Sequence, residues 1–555
     1  MKAGNSMKTR YLTVAGLAIL SLFILSGCER SVSNTTSTKL ASKQEVTLVS
    51  NKEVTSLDPS NVIDATSSQL IQNVYEGLYQ LNSKNQPVPT GATSLPKITD
   101  HGRTYDITLR KSAKWSNGDP VTAQDYIYAW RRGVTAKIAA SNLYQYNAVK
   151  NAAKIINKKA NSSTLGVKAL GKYKLRIQLE RPTAYFTKQL TTICFKPLDE
   201  KYVKQAGSQF AANSSHTIYN GPFKLTKFSG TGTANSWTLV KNNQYWDKKT
   251  VKLQKINYQL VKTTGTGVDL FESGKVDQTP IDGQYVKNYQ GKKGFNSKPS
   301  STVNYLGYNF KTKTLKNAKL REALSLIINR KSLTSRVLQD GSTQATDIIA
   351  KGIFSNPKTR TDFATDADNL TKTDTKKASQ LWQQAQKEIN KNSLTVKLIT
   401  FDSGTQRTTA QYIQGQVQKY LPGIKLSLVI QPVSSFIKNA MRGEFGIYLV
   451  NWGADYPDPS SLLSLFTSDS GNNWGHYKDS KYDNAVKQAN GVDSTNADKR
   501  WQDLQQAQKI ILKDNGVTPL FFSRLTYLQN PKLKGVQVNT EEGGFNYTKA
   551  YLTAK

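Results

Sequence analysis

The sequence predicts a mixed α/β protein of two or three domains. Short apolar strands alternate with amphipathic helical stretches along the chain, which is the pattern of an α/β architecture. At 555 residues the chain is too long for one ordinary core. No repeat of 20–50 residues is present, so solenoids are excluded.

Lys2, Lys8 and Arg10 form a positive segment ahead of the apolar stretch 11–25. That stretch is shorter than the roughly 20 residues a membrane-spanning helix needs, and it suits a secretory signal. It ends in Leu25-Ser26-Gly27-Cys28, the form of a lipobox, in which cleavage leaves a lipidated Cys28 as the first residue. The other reading is an ordinary signal peptide with an unrelated cysteine. A diacylglyceryl group would anchor the chain firmly. Residues 28–43 are polar and rich in Ser and Thr, and are expected to be a flexible tether. No later apolar run is long enough to span a bilayer, so the rest is expected outside the membrane.

Tyr105, Ile107 and Leu109 alternate with polar residues, predicting a half-buried strand. Ser116-Asn117-Gly118-Asp119-Pro120 reads as a tight turn. Thr122 with Asp125 three residues on forms a capping box that starts a helix. The spacing of Leu320, Ala323, Leu324, Ile327 and Ile328 predicts a helix over 318–338, with Gly341 as its stop. Residues 445–450 are continuously apolar and read as a buried strand. It leads into a loop, Asn451-Trp452-Gly453-Ala454-Asp455-Tyr456-Pro457-Asp458-Pro459, at a place where sites commonly sit. Residues 517–522 predict another short strand.

The formal charge is +37, from 76 Lys+Arg against 39 Asp+Glu. The lysines are scattered, with no basic block interleaved with aromatics, which argues against nucleic acid as a partner. Diffuse basicity suits a protein living among acidic polymers or near an anionic membrane. Two distant cysteines make no disulfide framework, and His101, His216 and His476 lack metal-ligand spacing, so neither metal nor cofactor is expected. Nucleophile elbows, zinc-protease motifs and phosphate loops are absent. Ser355 and Lys358 match Ser-x-x-Lys only formally, because Pro357 breaks a helix there. Cys194, in Thr-Thr-Ile-Cys-Phe, reads as a buried inert thiol. No enzyme activity is expected.

Several segments together resemble the family-5 solute-binding proteins, typified by oligopeptide- and dipeptide-binding proteins of ABC importers. They are Ser56-Leu57-Asp58-Pro59 with Tyr75-Glu76-Gly77-Leu78-Tyr79, Lys114-Trp115-Ser116-Asn117-Gly118-Asp119-Pro120 with Asp125-Tyr126, and Asn220-Gly221-Pro222-Phe223. Tyr245-Trp246, Leu320-Arg321-Glu322-Ala323-Leu324 with Asn329-Arg330, and Trp452-Gly453-Ala454-Asp455-Tyr456 complete the set. Each is weak alone, and their order along residues 48–550 is specific.

The resemblance implies a two-lobed, periplasmic-binding-protein-like (type II) α/β fold with discontinuous lobes and an extra domain. Lobe I would combine 44–75, 196–301 and 520–555, the extra domain 76–195, and lobe II 302–519. It implies an extended peptide paired with main chain of both lobes, here Ile63 to Thr66, including Ala65, and Asn451 to Gly453. It implies Asp455 as the partner of the peptide ammonium, whereas the residues alone allow a plain turn role. Trp452 is then a pocket wall or core packing, and Tyr305 a ligand-facing or a sheet aromatic. Tyr144 and Tyr146 would line the pocket from the extra domain. Some relatives carry an arginine just before the tryptophan of this loop for a peptide carboxylate. Here Leu449-Val450-Asn451 stands there instead, which leaves the carboxylate partner open. The implied partners are short peptides, ABC importer permease subunits and, through the lipid anchor, the outer face of a Gram-positive cell membrane. The chain is expected to act as a monomer. Another ligand (a signalling peptide, metal chelate, haem or oligosaccharide) and a basic cell-surface adhesin are the alternatives.

Overall fold

Ten strands order the molecule: β1 Glu45–Ser50, β2 Phe223–Thr226, β3 Ser236–Lys241, β4 Lys255–Leu260, β5 Gln278–Pro280, β6 Phe295–Tyr308, β7 Leu394–Phe401, β8 Ile424–Gln431, β9 Ile447–Trp452 and β10 Val517–Gln529. In this computed structural model they lie in the order β8-β7-β9-β6-β10-β5-β1-β4-β3-β2, with Thr343–Gln344 as an added strand on β10. The structure describes residues 39–62, 64–135, 140–364, 372–539, 541 and 544–554. The predicted signal segment, Cys28, most of the tether and Ile63 lie outside the described residues.

Pairing divides the sheet into two halves. On one side β1 runs parallel to β4 and β5; on the other, β7 runs parallel to β8 and β9. Two long antiparallel strands, β6 and β10, belong to both halves. The early part of β6 (295–299) pairs with the late part of β10 (524–528), and residues 303–307 pair with 517–522. Between these stretches the register slips: Pro299 faces Arg524, yet Val303 faces Phe522. Ser300, Ser301 and Thr302 thus oppose Ser523 alone, a bulge that bends the strand and re-aims its side chains.

A separate antiparallel sheet, in the order Lys97–Thr99, Thr104–Thr108, Lys174–Gln178 and Val167–Gly171, occupies the segment expected to be the extra domain. Its core is continuous with that around β1 and β4. Trp115 meets Tyr75 edge-on at 6.3 Å, and Tyr75 meets Tyr219 at 6.1 Å. The predicted strand at 105–109 is present, with Tyr105, Ile107 and Leu109 buried. The predicted capping box starts the helix Ala123–Gly133, with Thr122 N–H donating to Asp125 Oδ2 at 2.7 Å.

The helix expected over 318–338 is broken. Ala318–Leu326 ends before Asn329, whose backbone is extended (φ −79°, ψ 91°) and whose Oδ1 caps a new turn by accepting from Ser332 N–H at 2.8 Å. A π-helical turn, Leu333–Leu338, follows, and Gln339 at φ 50° ends it ahead of Gly341. An asparagine cap outcompetes helix continuation because its side chain offers the backbone another partner. The apolar face survives, since Leu320, Ala323, Leu324, Ile327 and Ile328 are all buried. The strand read at 445–450 is shifted by two residues, β9 running from Ile447 to Trp452, and the one read at 517–522 is longer than expected, β10 running through the bulge to Gln529.

The resembling motifs are largely joints between segments. Asn220 clamps the backbone of Glu76, accepting from its N–H at 2.9 Å and donating to its carbonyl at 2.8 Å. Tyr245 and Trp246 donate to the Glu76 carboxylate at 2.5 and 2.6 Å. Buried Arg321 donates to Asp514 and to the carbonyls of Leu315 and Lys316, and buried Arg330 donates to the Pro519 carbonyl at 2.7 Å. These arginines fasten helix ends to the start of β10, using the several donors of a guanidinium at once.

Candidate functional site

Strand β9 delivers the loop. Asn304 faces Asn451 and Val303 faces Trp452 across the β6–β9 ladder. On its other side β7 pairs with β9 only at Ile447 and Tyr448. Beyond that point the outer edge of Val450–Trp452 meets no strand among the described residues. Such an edge can accept an added extended chain. Asn451 is exposed, and Trp452 is half-buried against Trp474 at 5.8 Å. Gly453 lies against β6 so closely that a Cβ would sit 3.0 Å from Thr302 Oγ1.

The loop after Trp452 is held from both ends. Ala454 N–H donates to Ser301 Oγ at 3.0 Å, and Asp455 N–H to Ser461 Oγ at 2.8 Å. This turns the Asp455 carboxylate toward the 76–195 segment, where the Tyr144 hydroxyl donates to it. Part of Asp455 still reaches solvent, but its carboxylate is desolvated, and burial pushes its pKa up to about 6 against the hydrogen bonds that lower it. Burial and the neighbouring Asp455 charge hold the Tyr144 hydroxyl well above its ordinary value. No lysine or arginine pairs with Asp455 among the described residues. A desolvated carboxylate served only by neutral donors is a place for a cation from outside.

More contacts cross the same boundary. Tyr185 stacks on Tyr456, Lys188 Nζ donates to the Pro457 carbonyl at 2.7 Å, and Arg181 Nε donates to the Asn490 carbonyl at 3.3 Å. Behind them Asp458 takes two hydrogen bonds from Arg500, at 2.6 and 3.0 Å, with both side chains less than a tenth exposed. Burial alone would raise Asp458, but the Arg500 guanidinium and the Lys188 ammonium bring its pKa down to about 2. Two cavities flank Asp455. One of about 20 Å³, room for about one water, touches Glu76, Thr90, Lys196 and Asp455 itself. The other, of about 570 Å³, is lined by Tyr144, Tyr185, Tyr456, Ser461 and residues of 464–492. Burial raises Glu76 to about 7, against the pull of Tyr245, Trp246, Lys196 and Arg110.

The structure brings Asp455 and Tyr144 together, with Asn451, Trp452 and Gly453 adjoining in the chain. Three other expected residues have settings of their own. Ala65 opens the helix Ala65–Val74, capped by Asp64, which accepts from Ser67 N–H at 2.8 Å. Its backbone is helical and does not offer a strand edge. Tyr146 is 2% exposed; its hydroxyl donates to the Cys194 carbonyl at 2.6 Å and its ring packs on Phe195. Tyr305, also 2% exposed, is held edge-on by Tyr448 and Phe466 in the core beside β9. Tyr185, Lys188 and Arg500 were not singled out from sequence, since each sits in an unremarkable local pattern and meets the loop only through the fold.

The chain matches the profile of the bacterial extracellular solute-binding proteins, family 5 (middle region), over residues 86–474. It is 32% identical to a dipeptide-binding protein of Lactococcus lactis subsp. cremoris over 90% of this chain and 93% of that relative. It is 29% identical to the oligopeptide-binding protein OppA of Bacillus subtilis over 96% of this chain and 97% of the relative. Among solved structures, Listeria monocytogenes OppA bound to peptide superposes with a TM-score of 0.83 at 34% identity, covering 93% of this chain and all of that one. The pheromone receptor PrgZ gives the same TM-score at 35% identity, covering 92% and 99%. The fold is therefore the two-lobed one of periplasmic binding proteins, and these relatives are named as solute- or peptide-binding proteins. The chain belongs to the bacterial extracellular solute-binding proteins, family 5.

Proposed function

We propose that the protein captures short peptides in extended form and delivers them to the permease subunits of an ABC importer, held at the outer membrane face by a lipid on Cys28. The observation that carries this reading is the Asp455 carboxylate, desolvated and without a basic partner among the described residues. A peptide ammonium supplies the missing charge, and the unpaired edge at Val450–Trp452 supplies main-chain groups that ignore side-chain identity. The names of the relatives, which include dipeptide- and oligopeptide-binding proteins, support the same ligand class. The lobes would be 44–75 with 196–301 and 520–555, facing 302–519, with 76–195 as the extra domain. Leu25-Ser26-Gly27-Cys28 supports the anchor.

Calorimetric titration of residues 29–555 with a defined peptide pool tests the ligand class. One-to-one binding that is lost on N-acetylation and weakened in Asp455→Ala is expected. Absence of binding to any free-amine peptide would remove the reading and turn attention to the other ligand classes or to an adhesin.

A further inference from the structure

The β6–β10 bulge opens onto a cavity of about 430 Å³, within the usual size of ligand pockets. Its wall includes Ser300, Thr343, Asp347, Lys351 and Arg524. Arg524 stands opposite Pro299, where the ladder slips. Its Nε donates to Ser297 Oγ at 2.7 Å and its Nη2 to the Ser297 carbonyl at 3.2 Å. A guanidinium has five N–H groups, so three stay available. No carboxylate pairs with Arg524 among the described residues, and burial lowers its pKa with no acidic group offsetting the shift. Lys351 is exposed at the rim. The acidic group in the wall, Asp347, is itself buried and accepts from the Thr346 hydroxyl at 3.0 Å. The cavity adjoins the Asp455 loop, because Ser301, next to Ser300, binds Ala454 N–H.

Resting on the peptide reading, we infer that this cavity is the acidic end of the ligand site, where Arg524 with Lys351 receives a carboxylate of the bound peptide. A planar fork of donors matches a carboxylate in two-point contact. The position ahead of Trp452 carries no cation, and Arg524 supplies one from β10 instead. The carboxylate is either the peptide C-terminus or an Asp or Glu side chain.

The test titrates the protein with one peptide series: free acid, C-terminal amide, Glu→Gln analogue and N-acetylated control. Wild type, Arg524→Gln, Arg524→Lys and Lys351→Gln are compared, each checked for an unchanged melting temperature. The expected result is a roughly 10- to 100-fold loss in wild type on removing one carboxylate, as for a hydrogen-bonded charge. Loss on amidation assigns the C-terminus, and loss in the Glu→Gln analogue assigns the side chain. The same change has little effect in Arg524→Gln, Arg524→Lys restores part of the preference, and Lys351→Gln reduces it modestly. Equal binding of charged and neutral peptides by wild type would overturn the inference while leaving peptide capture intact. So would an equal loss for both kinds in Arg524→Gln. If no peptide binds, the peptide reading fails and this inference falls with it.

Discussion

Tyr185 and Tyr456 stack between the short helix Phe186–Gln189 and the loop that follows β9, with ring centroids 4.8 Å apart and planes 8° from parallel. Tyr456 directly follows Asp455, so the stack and the Tyr144–Asp455 hydrogen bond secure one short stretch from the same side. An offset-stacked aromatic pair contributes about 0.5–1.5 kcal/mol beyond its buried area. Tyr185→Ala should therefore speed ligand release by roughly 2- to 12-fold, measured by stopped-flow displacement, with a smaller effect on association. An unchanged release rate would show that the stack does not hold the closed form.

Asp455 should make capture pH-dependent. Burial raises its pKa to about 6, so the carboxylate is charged at pH 7 and protonates on acidification. A bound ammonium favours the charged form, so binding below about pH 6 must release a proton. Affinity for free-amine peptides is expected to fall as the pH drops from 7 to 5. Calorimetry in buffers of different ionisation enthalpy would read the proton release directly. Asp455→Asn keeps a partner for Tyr144 but loses the charge, and should flatten this profile while weakening binding.

The Asp458–Arg500 pair should be a stability element. Removing one member of a buried pair leaves the other uncompensated, at about 3–5 kcal/mol. Asp458→Asn and Arg500→Gln should each lower the melting temperature clearly, whereas Asp458→Leu with Arg500→Met should recover much of the loss. Asp458 titrates at about 2 in the folded protein and near 4 when unfolded. Its contribution is thus full above about pH 4 and disappears as the pH falls through 2.

Glu76 should act in the opposite sense. Its folded pKa of about 7 lies above the unfolded value, so the folded state binds the proton more tightly. Charging it costs stability as the pH rises from about 4.5 through 7. Glu76→Gln should remove that slope in denaturant midpoints measured between pH 5 and 8.

Gly221 tests the joint at Asn220-Gly221-Pro222-Phe223. A Cβ there would lie 2.6 Å from the Val74 carbonyl carbon, where backbone cannot yield. Gly221→Ala should cost about 1–3 kcal/mol by overpacking, read as a lower denaturation midpoint.

The α/β class, the strand at Tyr105–Leu109 and the capping box at Thr122 were legible because each rests on local periodicity or a local hydrogen bond. The break at Asn329 was not, since apolar spacing continues through it and only the cap distinguishes a new turn. The Asp455 loop was legible through its motif, yet the motif names no partner. Tyr185, Lys188 and Arg500 come from segments remote from that loop and reach it only through the tertiary fold. Tyr146 and Tyr305 show the converse: a tyrosine has one face for a core and one tip for water, sequence does not say which is used, and both are buried here. Ala65 was expected in an extended run, but the Asp64 cap turns that stretch into a helix.

The shared strands β6 and β10 bear on any movement of one half of the sheet against the other. Their bulge sets Ser300–Thr302 against Ser523 alone, and a second slip between Asn304 and Tyr305 passes over Leu520, whereas 295–299 pair residue by residue with 524–528. Flexure confined to these slips bends two neighbouring strands together and spares the regular ladder between 295–299 and 524–528. The sheet thus carries its own compliant seam, and the charged wall at Arg524 lies along it.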